Sequence, residues 1–107
     1  MLFRSLVRKW FVSIKFSEGP KITLPAVPSV SYNEGSAVNI SCEATGTPVP
    51  DVRWIHNGQV KSSGLRTAQL TFNKISRADA GMYTCKANNS VASEDKQLNL
   101  SVNCKYT

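Results

Sequence analysis

The stretch Asp79-Ala80-Gly81-Met82-Tyr83-Thr84-Cys85 decides how the rest of the chain is read. Ser76–Gly81 reads as a tight corner, and Gly81–Asn88 as a strand with Tyr83, Cys85 and Ala87 in phase. Tyr83 stands two residues ahead of Cys85, where its hydroxyl can reach back to backbone at the corner. Gly81 permits the close turn. Asp79 can accept bonds from backbone amides or from an arginine, with Arg66 the first candidate by position in the chain and Arg53 the second.

The same period-two texture extends in both directions. Upstream, Ala37–Ala44 alternates Val38, Ile40, Cys42 and Ala44 with Asn39, Ser41 and Glu43, so one face is apolar and the other polar. Val52–His56 follows, with Val52, Trp54 and His56 on one face. Asn57-Gly58 is a turn into a short run, Gln59–Val60. Ser62-Ser63-Gly64 has loop composition, and Gln69–Asn73 holds Leu70 and Phe72 in phase. Nearer the start, Lys21–Leu24 is broken by Pro25 and Pro28 and resumes at Ser29–Tyr32, as suits an edge strand that switches sheets. Asn33-Glu34-Gly35 and Asn88-Asn89-Ser90 are turns. Glu94–Val102 closes the pattern with Leu98, Leu100 and Val102 in phase. About seven short strands with short connections predict an all-β sandwich of two antiparallel sheets.

Composition agrees with one globular unit. The chain has 107 residues, 41% apolar and 19% charged, which fits a single domain. Its net charge is +6, of which residues 1–19 carry half through Arg4, Arg8, Lys9 and Lys15 against Glu18. The rest is only mildly basic and lacks the clustered stripe that nucleic acid binding wants. No run approaches the ~20 apolar residues of a membrane span. His56 is the only histidine, so no metal set of three or four ligands is visible, and no cofactor is expected. No Ser or Cys has an obvious base and orienter. Asp51, Glu43 and Asp79 are separated by fold position. The expectation is a binding module and not an enzyme, with His56 a rim residue.

At this point the sequence resembles the immunoglobulin superfamily, most closely its intermediate (I-set) type. The matching pieces are Glu34-Gly35-Ser36-Ala37-Val38, Cys42-Glu43-Ala44-Thr45-Gly46-Thr47-Pro48-Val49-Pro50, Val52-Arg53-Trp54, Asn57-Gly58, Leu70-Thr71-Phe72, Ser76 to Cys85, Ala87-Asn88-Asn89-Ser90 and Leu98–Val102. The resemblance implies an immunoglobulin-like β-sandwich over residues 20–102, with Cys42 and Cys85 bridged across the core, Trp54 packed on the bridge, and Leu70, Tyr83 and Asp79 in the core and corner. Such a bridge would contribute on the order of 3–4 kcal/mol in the chain-entropy model. One departure is visible. The stretch between Trp54 and Leu70 is short, so the two strands that the family places there, C′ and D, are expected to be reduced or absent.

The resemblance also implies a role. Domains of this kind occur in tandem arrays in adhesion molecules, receptors and matrix proteins, and in giant muscle proteins. The first reading is therefore an extracellular or cell-surface recognition module, binding protein in homophilic or heterophilic fashion beside neighbouring domains of the same type. The alternative is an intracellular structural module of the sarcomeric type with reduced cysteines. Three sequons favour the first: Asn39-Ile40-Ser41, Asn88-Asn89-Ser90 and Asn99-Leu100-Ser101, with Asn39 and Asn99 on the outward phase of their strands. Cys104 lies past the last strand as an unpaired thiol, and residues 103–107 look like the link to a following domain. Thr45–Asp51 and Asn88–Glu94 are the natural contact loops. Residues 1–19 stand outside the fold as an extension, helical or disordered. Their basic, acid-poor amphipathic pattern fits a targeting peptide, a membrane-surface helix or a segment foreign to the domain.

Overall fold

The computed structural model describes residues 17–104. The expectations for residues 1–16 and for the last three residues lie outside that range. Among the described residues eight strands are present: β1 Glu18–Leu24, β2 Ser29–Asn33, β3 Val38–Thr47, β4 Asp51–His56, β5 Gln59–Leu65, β6 Thr67–Phe72, β7 Gly81–Asn88 and β8 Ser93–Asn103. They form a three-stranded sheet, ordered β1-β3-β6, and a five-stranded sheet, ordered β2-β8-β7-β4-β5. A 3-10 turn, Arg77–Asp79, makes the corner before β7.

The alternation read from the sequence is the alternation of burial. In β3, Val38, Ile40, Cys42 and Ala44 are buried while Asn39 and Glu43 face solvent. In β7, Tyr83, Cys85 and Ala87 are buried. Cys42 and Cys85 are joined across the two sheets with their Cα atoms 6.4 Å apart, and Trp54, directly opposite Cys85 on the neighbouring strand, is fully buried. Its indole N–H donates to the Ala68 carbonyl of β6 at 3.1 Å. Trp54 stands in one sheet and bonds to the other, so packing and hydrogen bonding both fix the inter-sheet spacing.

Three features differ from the sequence reading. First, the strand after Trp54 is not reduced. Asn57 and Gly58 both have positive φ, 52° and 77°, the geometry of a two-residue hairpin whose twist matches its strands. The ladder then runs from His56↔Gln59 to Asp51↔Leu65, so Ser62, Ser63 and Gly64 are strand and not loop. Their small side chains suit an edge strand pressed close to the next crossing, because a Cβ on Gly64 would collide with the Thr67 carbonyl. The second of the two strands is absent, in line with that expectation, since Arg66 alone connects β5 to β6. Second, the sheets are not wholly antiparallel: β2 runs parallel to β8, because Pro25 and Pro28 break the first strand and its second half crosses to the other sheet. Third, Ile75, placed in no strand, is a core residue at 1% exposure. Its N–H donates to the Ser36 carbonyl and its own carbonyl accepts from Gly35 N–H, which docks the β6–β7 connection on the β2–β3 turn.

The corner forms around Tyr83. Its hydroxyl donates to the Asp79 carbonyl at 2.6 Å. The Asp79 carboxylate accepts from Ser76 N–H at 2.9 Å and from the Ser76 hydroxyl at 3.3 Å. Among the described residues it has no arginine partner: Arg53 pairs with Asp51, and Arg66 is held at the β5–β6 crossover. Burial, with the negative Asp79 adding to it, raises the Tyr83 phenol above its ordinary 10.0. The fold therefore favours the neutral phenol. That stability is fully present below pH 10 and is lost as pH rises through the raised value. Tyr83→Phe is expected to be less stable than the parent at neutral pH by about 1 kcal/mol, the lost hydrogen bond. The gap should close above pH 10, as followed by urea denaturation at stepped pH.

Candidate binding surface

Strand phase leaves one broad face of the five-stranded sheet open to solvent. Because Val52 and Trp54 turn inward, β4 presents Asp51, Arg53 and Ile55 outward. By the same alternation β7 presents Met82, Thr84, Lys86 and Asn88. Register places Ile55 between Thr84 and Val60, and Arg53 between Lys86 and Ser63. Met82 and Val60 are about half exposed, 49% and 53%, and Leu65 reaches 69%. A shallow concavity of about 230 Å³ lies on this face, lined by Asp51, Arg53, Ile55, Lys86 and Asn88. Arg53 Nε donates to Asp51 Oδ2 at 3.0 Å. That exposed pair contributes little stability, but it offsets the repulsion between Arg53 and Lys86 across the strands. The result is an apolar centre with a mixed-charge rim.

The loop pole is organised by a residue that the sequence reading passed over. Asn89 Nδ2 donates to the Glu18 carbonyl at 2.8 Å and the Pro48 carbonyl at 2.9 Å. Its Oδ1 accepts from Val91 N–H at 3.0 Å and Ala92 N–H at 3.1 Å. All four hydrogen-bonding positions of the amide are used, and three segments meet there. Gly46 lets them meet, because a Cβ on it would lie 3.2 Å from Asn89 Nδ2 and from Pro20 Cα. The two contact loops are shorter than expected: β3 runs on to Thr47 and β4 begins at Asp51, leaving Pro48–Pro50 between them, and β7 to β8 leaves residues 89–92. The sequence signal available was only that Asn89 sits inside a turn.

The remaining candidate residues fall as follows. Asn39, Asn88 and Asn99 are all exposed. Asn39 lies on the outer face of the three-stranded sheet and donates to Gln69 Oε1 at 3.3 Å. Asn99 stands directly opposite Met82 on the five-stranded sheet. Cys104 is an exposed free thiol just beyond β8, and Leu70 is buried. His56 stacks on Tyr83 with ring centroids 4.0 Å apart. Its Nδ1 donates to the Met82 carbonyl at 3.0 Å in the tautomer that lets Nε2 accept from Asn57 Nδ2 at 3.3 Å. It braces the β4–β5 turn against the corner.

Comparison with known proteins bears on this geometry. The family model for the immunoglobulin domain matches residues 19–89. The peroxidasin homolog pxn-2 of Caenorhabditis elegans is 37% identical over 103 residues, which is 90% of this chain and 8% of that protein. Interference hedgehog of Drosophila ananassae is 31% identical over 101 residues, 89% of this chain and 11% of that protein. The chain thus spans a small part of the curated relatives it matches. Among solved structures, a chimeric titin tandem superposes with a TM-score of 0.73 at 30% identity, covering 83% of this chain and 52% of that one. The complex of titin with an obscurin-like Ig domain gives 0.70 at 22% identity, covering 84% and 99%, a likeness of fold alone.

Asn89 and its sequence neighbour provide an internal control. Asn89→Ala removes four hydrogen bonds from a junction of three segments and is expected to cost about 2 kcal/mol. Asn88→Ala, on an exposed strand end, should stay within about 0.5 kcal/mol of the parent. Urea midpoints of the two variants check the contrast.

Proposed function

The chain belongs to the immunoglobulin-domain family, and on that premise we propose that it is a non-catalytic protein-recognition module, one domain of a larger extracellular adhesion, receptor or matrix protein. The observation that carries this reading is the outer face of the five-stranded sheet, where the exposed Val60 and Met82 and the half-buried Ile55 stand among Arg53, Lys86 and Asp51. Exposed apolar residues grouped on one sheet face and rimmed by charge are the anatomy of a protein contact. In this reading the recognition domain runs from Glu18 to Asn103, slightly wider than the 20–102 read from sequence because β1 and β8 pair to those residues; the residues after it lead to a following domain, and partners are proteins and adjoining domains of the same kind.

The outward placement of Asn39, on the smaller sheet, supports an extracellular setting with that residue as a glycan acceptor; Asn88 and Asn99 lie on the recognition face itself, where a glycan would oppose contact, so this reading leaves them bare. The bridge between Cys42 and Cys85 suits an oxidising compartment. Peroxidasin and interference hedgehog relatives support the same setting. The 30% identity to the titin tandem favours the second reading, an intracellular structural module with reduced cysteines. Non-reducing mass spectrometry of the natively expressed protein separates them. A Cys42–Cys85 disulfide is expected, and free thiols at both positions would overturn the extracellular assignment.

The outer face is tested by Ile55→Glu. The substitution should leave the folding transition within a few degrees of the parent. It should abolish adhesion of domain-coated beads to one another or to a cell monolayer. Adhesion that survives it unchanged removes this face from the reading.

A further inference from the structure

A second surface, at the crossover from the five-stranded to the three-stranded sheet, has features that the outer face does not explain. Arg66 is the single residue between β5 and β6, and its φ is +67°. For a non-glycine residue the left-handed region crowds the Cβ against the following carbonyl and is strained. The strained backbone is fixed from both sides, since Arg66 N–H donates to the Pro50 carbonyl at 3.0 Å and its carbonyl accepts from Ala44 N–H at 2.8 Å. The side chain is exposed, and among the described residues it forms no ion pair. Glycine would satisfy this backbone without strain, so the guanidinium itself is the feature in need of a role.

The surroundings are concave and unfinished. Pairing between β3 and β6 ends at Glu43↔Thr67, yet β3 continues through Ala44, Thr45, Gly46 and Thr47. On its other side this extension pairs with β1. On the β6 side it borders a concavity of about 280 Å³, closed by Pro50 and Arg66. A second concavity of about 310 Å³ shares Ala44, Thr45 and Arg66 and continues to Thr23, Glu43 and Thr67. The two meet at Ala44, Thr45 and Arg66, the first a groove lying along the end of β3 past its pairing with β6 and the second crossing the sheet face to Thr23 on β1. The lining is hydroxyls and backbone, with one cation near its middle and one carboxylate toward one end.

We propose that this groove takes an extended segment of a partner protein, laid along Ala44–Thr47, with a carboxylate of that segment held by the Arg66 guanidinium. An exposed guanidinium without an ion-pair partner among the described residues is free to meet a planar carboxylate, and an extended peptide can add main-chain bonds along β3 beyond the Ala44 N–H, which the Arg66 carbonyl already takes. Glu43 sets the polarity of the ligand: a hydroxyl, amide or cationic side chain belongs beside it. The same carboxylate disfavours a polysulfated glycan, which would bring charge to the whole groove. The site deepens the reading as a protein-recognition module and rests on it.

The probe is the capped peptide acetyl-Thr-Glu-Thr-Lys-Thr-amide, titrated into the isotope-labelled domain and followed by NMR, with the reversed sequence run alongside. Shifts concentrated at the amides of Ala44, Thr45 and Gly46 and at Arg66 Nε–H are expected in the millimolar range for one of the two directions. Replacing the peptide Glu by Gln, or using Arg66→Gly protein, should weaken binding at least tenfold. Arg66→Gly relieves strain and so should remain folded, which keeps loss of binding separate from loss of structure. Scattered or absent shifts, or equal binding by Arg66→Gly, would overturn the proposal. So would a heparin-derived hexasaccharide that shifts these signals when neither peptide does. Ile55→Glu should not alter the titration, so failure here is distinguishable from failure of the outer-face reading.

Discussion

The tie between the two sheets at Cys42, Cys85 and Trp54 is the constraint on which everything else hangs. A three-stranded and a five-stranded sheet have no hydrogen bonds between their ladders, so what sets their spacing must cross the core. The disulfide does so covalently, closing a sequence separation of 43 residues, which is on the order of 3–4 kcal/mol of unfolded-chain entropy. The indole does so by geometry: Trp54 fills the space beside the bridge and donates to the Ala68 carbonyl in the facing sheet. That bond also takes up a carbonyl of β6, the strand at the edge of the smaller sheet.

Absence of a strand between β5 and β6 follows from the crossing at Arg66. One residue cannot carry the chain from one sheet to the other in an ordinary extended or right-handed conformation, and the backbone turns left-handed there. With nothing inserted, β3 has no paired strand on that side beyond Glu43, only the Arg66 carbonyl that accepts from Ala44 N–H, and Gly64 must lack a Cβ to pass Thr67. The groove beside Ala44–Thr47 and the exposure of Leu65 are thus consequences of the same short connection. The other edges are protected more conventionally. Strand β5 carries an extra residue, Lys61, at its bulge against Trp54 and Ile55. Strand β1 has two register irregularities together with Pro20, and β2 is only five residues long.

Much of this was legible in the sequence where a residue's role depends on period and turn chemistry. Val38, Ile40, Cys42, Tyr83, Cys85, Leu98 and Leu100 declare themselves by alternation. Asn57-Gly58 declares its hairpin, since few other pairs accept two positive φ values. Long-range hydrogen bonding left no such mark. Asn89 draws on carbonyls of Glu18 and Pro48, 71 and 41 positions away, and nothing local separates it from Asn88. Ile75 is buried by a turn forty residues upstream and so shows no period. Ser62-Ser63-Gly64 has loop composition because an edge strand beside a close crossing needs small side chains, and composition cannot tell that need from disorder. Arg66 was read for its charge, toward Asp79, when its place is dictated by its backbone.

The arrangement separates stability from recognition in space. The bridge, the indole and the Tyr83 corner lie inside or at the pole of the β2–β3 and β4–β5 turns. Asn89 locks the opposite pole with four bonds to backbone. Between them the two lateral surfaces carry few internal obligations: Ile55, Val60 and Met82 on one, Arg66 and the unpaired side of β3 on the other. Their side chains can change with little effect on the core, which is the condition under which one scaffold serves many partners. The exception is Met82, whose carbonyl receives His56 Nδ1. Because that contact is to backbone, even this position keeps its side chain free, and the outer face can be rewritten without disturbing the corner beneath it.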